Sequence, residues 1–193
     1  MNLKSAVLFV ALANLVYFFV EFGVANQIGS VSLFADSVDF LEDAAINLLI
    51  FFALSLSVRS RAKVGMFLSC LILLPGAAAL WTAWSKIHSP IAPEPQLLSL
   101  TGFGALLINV GCAFLLAKFR HHSGSLTRAA FLSARNDAIA NIAIIGAGVA
   151  TALSKNAWPD LVVGLGIAIM NLGAAKEVWE AARKESSTAN PEA

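Results

Sequence analysis

Apolar runs recur six times along the chain, near residues 5–25, 31–57, 64–84, 97–118, 128–152 and 159–180. Each is close to the about 20 helical residues that cross a hydrocarbon core of about 30 Å. The breaks between them carry helix-ending chemistry. Asn26-Gln-Ile-Gly-Ser30 separates the first two runs, and Arg59-Ser-Arg61-Ala-Lys63 follows the second. The stretch from Ser85 to Gln96 holds three prolines, Lys118 to Arg128 is polar and basic, and Ser154 to Trp158 precedes Pro159. Proline at that place suits the first turn of a helix. The pattern predicts an all-α membrane protein of six transmembrane helices. On this reading residues 1–182 form one helical domain and 183–193 a short polar tail, too short for a soluble domain.

Basic residues set the orientation. Lys4, Arg59, Arg61, Lys63, Lys118, Arg120, Arg128, Arg183 and Lys184 fall on one side of the predicted bundle, against Lys86 and Lys155 on the other. Cytoplasmic loops collect Lys and Arg, so both termini are expected in the cytoplasm. Met1-Asn-Leu-Lys4 before an apolar run resembles a signal peptide. Asn14 and Glu21 interrupt that run and no small-residue cleavage site follows, so it reads as a first transmembrane helix. Composition agrees: 58% of residues are hydrophobic and 13% charged, far from the quarter charged of a soluble domain. A formal net charge of +1 gives no footing for nucleic acid. Cys70 and Cys112 lie in apolar runs without metal or redox spacing and read as small buried hydrophobes.

The second run departs from its apolar context. Asp36, Asp39, Glu42 and Asp43 share about two helical turns of it. A carboxylate at bilayer depth costs about 2.5–3.5 kcal/mol on insertion scales, so it needs a partner or a task. Residues four apart stack on one helix face, which makes Asp39, Asp43 and Asn47 an oxygen-bearing stripe with Asp36 at its edge. In the fifth run Ser133, Asp137 and Asn141 repeat that spacing. If the two helices face each other, Asp39, Asp43 and Asp137 converge on one cation and Ser133 or Asn141 completes the shell. Paired polar helices of this kind point to a central transport site. Oxygen donors accept Zn2+ and suit harder ions such as Mn2+ and Fe2+. Crowded carboxylates bind protons when no metal is present, which supplies a route to metal–proton exchange.

Ser32-Leu-Phe-Ala-Asp36-Ser-Val-Asp39-Phe-Leu-Glu-Asp43 resembles the second-helix motif of the cation diffusion facilitator (cation efflux) family. The resemblance places Asp39 and Asp43 on the family's first pair of metal ligands. Asn14, Glu21 and Gly23 are similar to its first-helix pattern, Arg128 to Ala138 to its fifth-helix motif, and Trp158-Pro-Asp160 to its entry into helix six. It implies six helices with both ends inside, and a site completed by Asp137 with Ser133 where the family has His or Asp. A second register pairs Asp137 with Asn141. No histidine enters the intramembrane site, and the family's C-terminal cytoplasmic domain is not expected here.

The expected function is export of a divalent transition-metal ion such as Zn, Mn, Fe, Co or Cd from the cytoplasm by proton antiport. The metal is cargo, no cofactor is expected, and the location is the cell (inner) membrane of a bacterium. A homodimer through the membrane helices is compatible with this reading. The alternative is a non-transporting membrane metal-binding accessory or sensor, suggested by Ser133. No phosphate loop or nucleophile elbow supports an enzyme. His121 and His122 are candidates for metal capture or plain loop residues, and His88 is incidental. Asn47 and Asn109 are expected to bond between helices, and Glu21 either joins an ion route or sits hydrated near the outer interface. Trp81, Trp84, Trp158 and Trp179 read as interfacial anchors.

Overall fold

The computed structural model describes residues 2–53, 58–119, 124–171 and 180, with the side chains of 124–133 and of several α3 residues outside that description. The described residues form six helices: α1 (Leu3–Ile28), α2 (Val31–Ala53), α3 (Val58–His88), α4 (Pro95–Ala117), α5 (Gly124–Ser154) and α6 (Trp158–Met170). Three segments are long and apolar enough to cross a membrane, namely α1, α4 and Ala134–Ser154 of α5. α6 is apolar but shorter over its described length. The six runs each become a helix, with longer ends for α1, α3 and α5 than hydropathy suggested, because helix continues into polar flanks where backbone hydrogen bonds still close.

Local chemistry explains the boundaries. Asn2 caps α1 by accepting from the Ser5 N–H at 2.9 Å. Gly29 ends it in the left-handed region (φ 63°), returning its N–H to the Ala25 carbonyl. α2 therefore starts two residues later and runs back antiparallel to α1, with Tyr17 and Phe40 in ring contact at 5.0 Å. Pro95 opens α4 and Pro159 opens α6, each within the first two helical positions.

α2 is the hub. It packs against α1, α3, α5 and α6, while α4 and α5 form the most extensive outer pair. From Ser30 to Ala45 it is almost continuously buried. The most acidic helix is thus the one withdrawn from the periphery, as the cost of charge in hydrocarbon requires. The other helices turn apolar stripes outward: Phe9, Leu12, Val16 and Phe19 on α1, Leu100, Phe103 and Leu107 on α4, and Ile139 and Ile142 on α5. These repeats of three and four mark lipid-facing surfaces. Trp81, Trp84 and Trp158 are also exposed, toward the end of the bundle that holds Gly29. Trp179 lies outside the described residues. Cys112 is buried as expected, but Cys70 is exposed on α3, since an apolar run gives no indication of which face meets lipid.

At the Gly29 end, α6 grips the start of α2. Asp160, fully buried, accepts from the Val31 N–H (3.0 Å), the Ser32 N–H (3.1 Å) and the Ser30 and Ser32 hydroxyls (2.6 and 2.7 Å). The Leu33 N–H goes to Ser30 Oγ at 3.1 Å and the Phe34 N–H to the Ser30 carbonyl at 3.3 Å. With the Ser30 N–H on the Ala25 carbonyl at 3.1 Å, the orphan donors of Ser30, Val31, Ser32 and Leu33 are all satisfied, and Phe34 begins the regular helical ladder. Lys86 of α3 completes the arrangement by pairing with Asp160 at 2.8 Å. Gly164, one turn along α6, lets the two backbones touch: a Cβ there would lie 2.6 Å from Ser32 N.

Two substitutions test this junction. Gly164→Ala forces backbone against backbone and is expected to destabilise by about 3 kcal/mol, the upper end for overpacking. Lys86→Met strips the counter-charge from a buried carboxylate, and because four neutral donors remain the loss is expected at about 3 kcal/mol. Thermal unfolding of the detergent-solubilised protein measures both; a midpoint unchanged for Lys86→Met would show that the pair does not hold the helix.

Candidate metal centre

α2 runs from the capped end toward the middle of the bundle with its acids at positions 36, 39, 42 and 43. Asp43 is buried, and Asp39 is half-buried at the junction with α6. Asn171, at the end of α6, reaches the Asp39 carboxylate and also donates to the Ala35 carbonyl at 3.3 Å. α6 thus holds α2 twice, at its N-terminus through Asp160 and near its carboxylates through Asn171. On α5, Asp137 is half-buried, and Asp43, Asp39, Asp36 and Glu42 of α2 lie near enough to act on its charge. The condition set by the matching spacings, that α2 and α5 lie against each other, is met. Among the described residues, no three His, Cys, Asp or Glu side chains close into a metal-holding group.

The proposed fourth positions differ in environment. The Ser133 side chain lies outside the described residues, as do His121, His122 and Arg128. Asn141, fully buried, donates its Nδ2 to Asp36 Oδ2 at 2.6 Å and accepts at Oδ1 from Asn109 Nδ2 at 3.0 Å. Its amide links α2, α4 and α5 in one chain of hydrogen bonds. Asn109 does bond between helices, whereas Asn47 donates to the Asp43 carbonyl of its own helix at 2.8 Å. Arg135 is exposed and meets Asn136 at 3.3 Å, on a different face from the carboxylates.

Glu21 is fully buried, which removes the option of a hydrated interfacial acid. Its carboxyl comes within hydrogen-bonding reach of Asp36. Neither its two oxygens nor Asp36 Oδ1 receives a donor from the described residues. The same holds for both amide atoms of buried Asn14 and for Asn47 Oδ1. Cys112 of α4 lies near Asp43. The sequence had no local signal for Cys112 or Asn171 beyond a polar atom inside an apolar run, because their roles depend on which helix arrives opposite.

The hydrogen-bond chain makes a graded prediction. Asn109→Leu leaves one acceptor unsatisfied and is expected to cost about 1 kcal/mol. Asn141→Leu orphans the Asn109 amide and Asp36 Oδ2 together, for about 3 kcal/mol. The double variant is expected to lose less than the sum, since the members share partners. Unfolding of the four proteins in one detergent checks the order.

The model of the cation efflux transmembrane domain matches residues 7–184. Comparison with curated proteins gave no match. With the match covering almost all of the chain, and both the acidic α2 and the α5 carboxylate inside it, the protein belongs to the cation efflux family of membrane cation transporters.

Proposed function

We propose that the protein exports a divalent transition-metal ion from the cytoplasm in exchange for protons, and that Asp39, Asp43 and Asp137 bind the ion. The observation that carries this reading is the placement of Asp137 on α5 against Asp43 and Asp39 on α2. Asp43, Asp39 and Asp36 of α2 all act on the charge of Asp137, and acids this near one another on two helices suit a cation that binds between them. Ser133 or Asn141 supplies a further oxygen. The Asn141 oxygen already accepts from Asn109, so its recruitment by a metal would compete with that bond. An all-oxygen set accepts Zn2+ and suits Mn2+ and Fe2+ better than a site with histidine or thiolate would.

The ion enters from the side of the bundle that holds the N-terminus, where the basic residues gather, and leaves toward the Gly29 end. Alternating exposure of a midplane site between two halves of the bundle is the expected mechanism. Protons replace the metal on the same carboxylates, because carboxylates held this close cannot all remain charged when the metal departs.

Reconstituted vesicles test the reading. Wild type is expected to move Zn2+ or Mn2+ with a counterflow of protons. Asp43→Asn and Asp137→Asn, which keep the side-chain volume, are expected to lower flux by more than about tenfold, the loss that even a ligand-supporting residue produces. Flux unchanged in both variants would sink the site. Metal binding without flux in wild type would favour the non-transporting accessory or sensor, and flux indifferent to a pH gradient would remove the proton antiport.

A further inference from the structure

We propose that Glu21 and Asp36 form a second cation-binding station, lying toward the Gly29 end from the Asp39, Asp43 and Asp137 centre. The proposal rests on the transport reading and extends it to the exit side. Asp36 precedes Asp43 by seven residues of continuous helix, which separates the two by about 10 Å along the axis of α2. Glu21 lies at the Asp36 level because α1 and α2 form a tight hairpin through Gly29.

Three features together point to a ligand. Both side chains are fully buried, and three of their four carboxylate oxygens, Glu21 Oε1 and Oε2 and Asp36 Oδ1, receive no donor from the described residues. The fourth, Asp36 Oδ2, is held by Asn141, whose own carbonyl is fixed by Asn109, so the Asp36 carboxylate is oriented from α5 and α4. Asp36, Asp39 and Tyr17 lie near Glu21, and none of the three is cationic. Tyr17 lies beside the pair, but its hydroxyl donates to the Thr101 carbonyl at 2.6 Å. Lys86, the buried lysine at this end, is bound to Asp160.

Fully ionised, the two apposed carboxylates would carry −2, which one divalent cation cancels; with no cation bound they hold a proton between them. Removing both from water with no counter-charge is far costlier than a satisfied pair. The station also continues the oxygen stripe of α2. An ion leaving Asp43 and Asp137 passes Asp39 and then meets Asp36 and Glu21, so the path toward the Gly29 end has a second place to rest. The pair therefore divides one long transfer through a low-dielectric interior into two short ones.

Equilibrium dialysis of the full-length protein in detergent against Mn2+ counts the stations. Wild type is expected to hold two ions per chain, and Glu21→Gln and Asp36→Asn one each. Asp43→Asn is expected to lose the other ion and keep this one. A wild type that holds one ion or none overturns the second station, as does an unchanged count in Glu21→Gln. The first outcome, with the single ion lost in Asp43→Asn, would leave the transport centre standing and assign the Glu21–Asp36 contact to a shared proton. Two ions retained in Asp43→Asn but one in Glu21→Gln would instead sink the transport centre and keep the station. A spectroscopic readout on wild type alone covers the case of unfolded variants: two Mn2+ ions about 10 Å apart broaden each other's paramagnetic resonance at saturation. Unbroadened spectra at full loading would also overturn the proposal.

Discussion

One buried carboxylate organises the Gly29 end of this bundle. Asp160 takes the first two backbone donors of α2, two serine hydroxyls and the Lys86 ammonium. A helix that begins inside a membrane protein must satisfy its first four N–H groups from nearby side chains, since lipid offers none. Asp160 satisfies two of them from another helix, and in doing so ties α2, α3 and α6 together. An α2 that carries four acids needs this anchorage. Asp160 fixes the register of this helix at its start, and Asn141 and Asn171 hold it further along.

The polar interior then falls into levels along α2. Asp160 holds the end, Asp36 meets Glu21 and Asn141 one turn further on, and Asp39 and Asp43 face Asp137 beyond them. α1, α4 and α5 present apolar stripes outward and polar residues inward at these levels. The division of labour follows from solvent: lipid selects the outer face and leaves the polar groups to find one another inside.

Much of this was legible before the fold. Hydropathy located six helices, because a span of about 20 apolar residues has few other uses. The spacing of four between Asp39 and Asp43, and again from Asp137 to Asn141, marked α2 and α5 as the polar helices, and the two are in contact through Asn141 and Asp36. Asn109 was expected to bond across helices, and it does. What the residue order did not reveal is partner choice over long separations. Asp160 and Ser30 are 130 positions apart, and nothing in either segment announces the other. Cys70 turned outward and Glu21 fully inward for the same reason: facing is decided by neighbours, not by hydropathy. Asn171 stood in a predicted span without a visible role until α6 ran beside α2.

The tight fit of Gly164 against Val31 and Ser32 has a mechanical meaning. With backbone on backbone and Asp160 across the same contact, the start of α2 is a fulcrum. Asp43 lies eleven residues along from Ser32, a lever arm of about 16 Å at the usual helical rise. A tilt of about 10° about that point would carry the Asp43 carboxylate by about 3 Å while hardly moving the capped end. That displacement is comparable with the difference between a metal–oxygen bond and an open gap. A stiff junction at one end of the helix thus turns a small rotation into a displacement of about 3 Å at its middle.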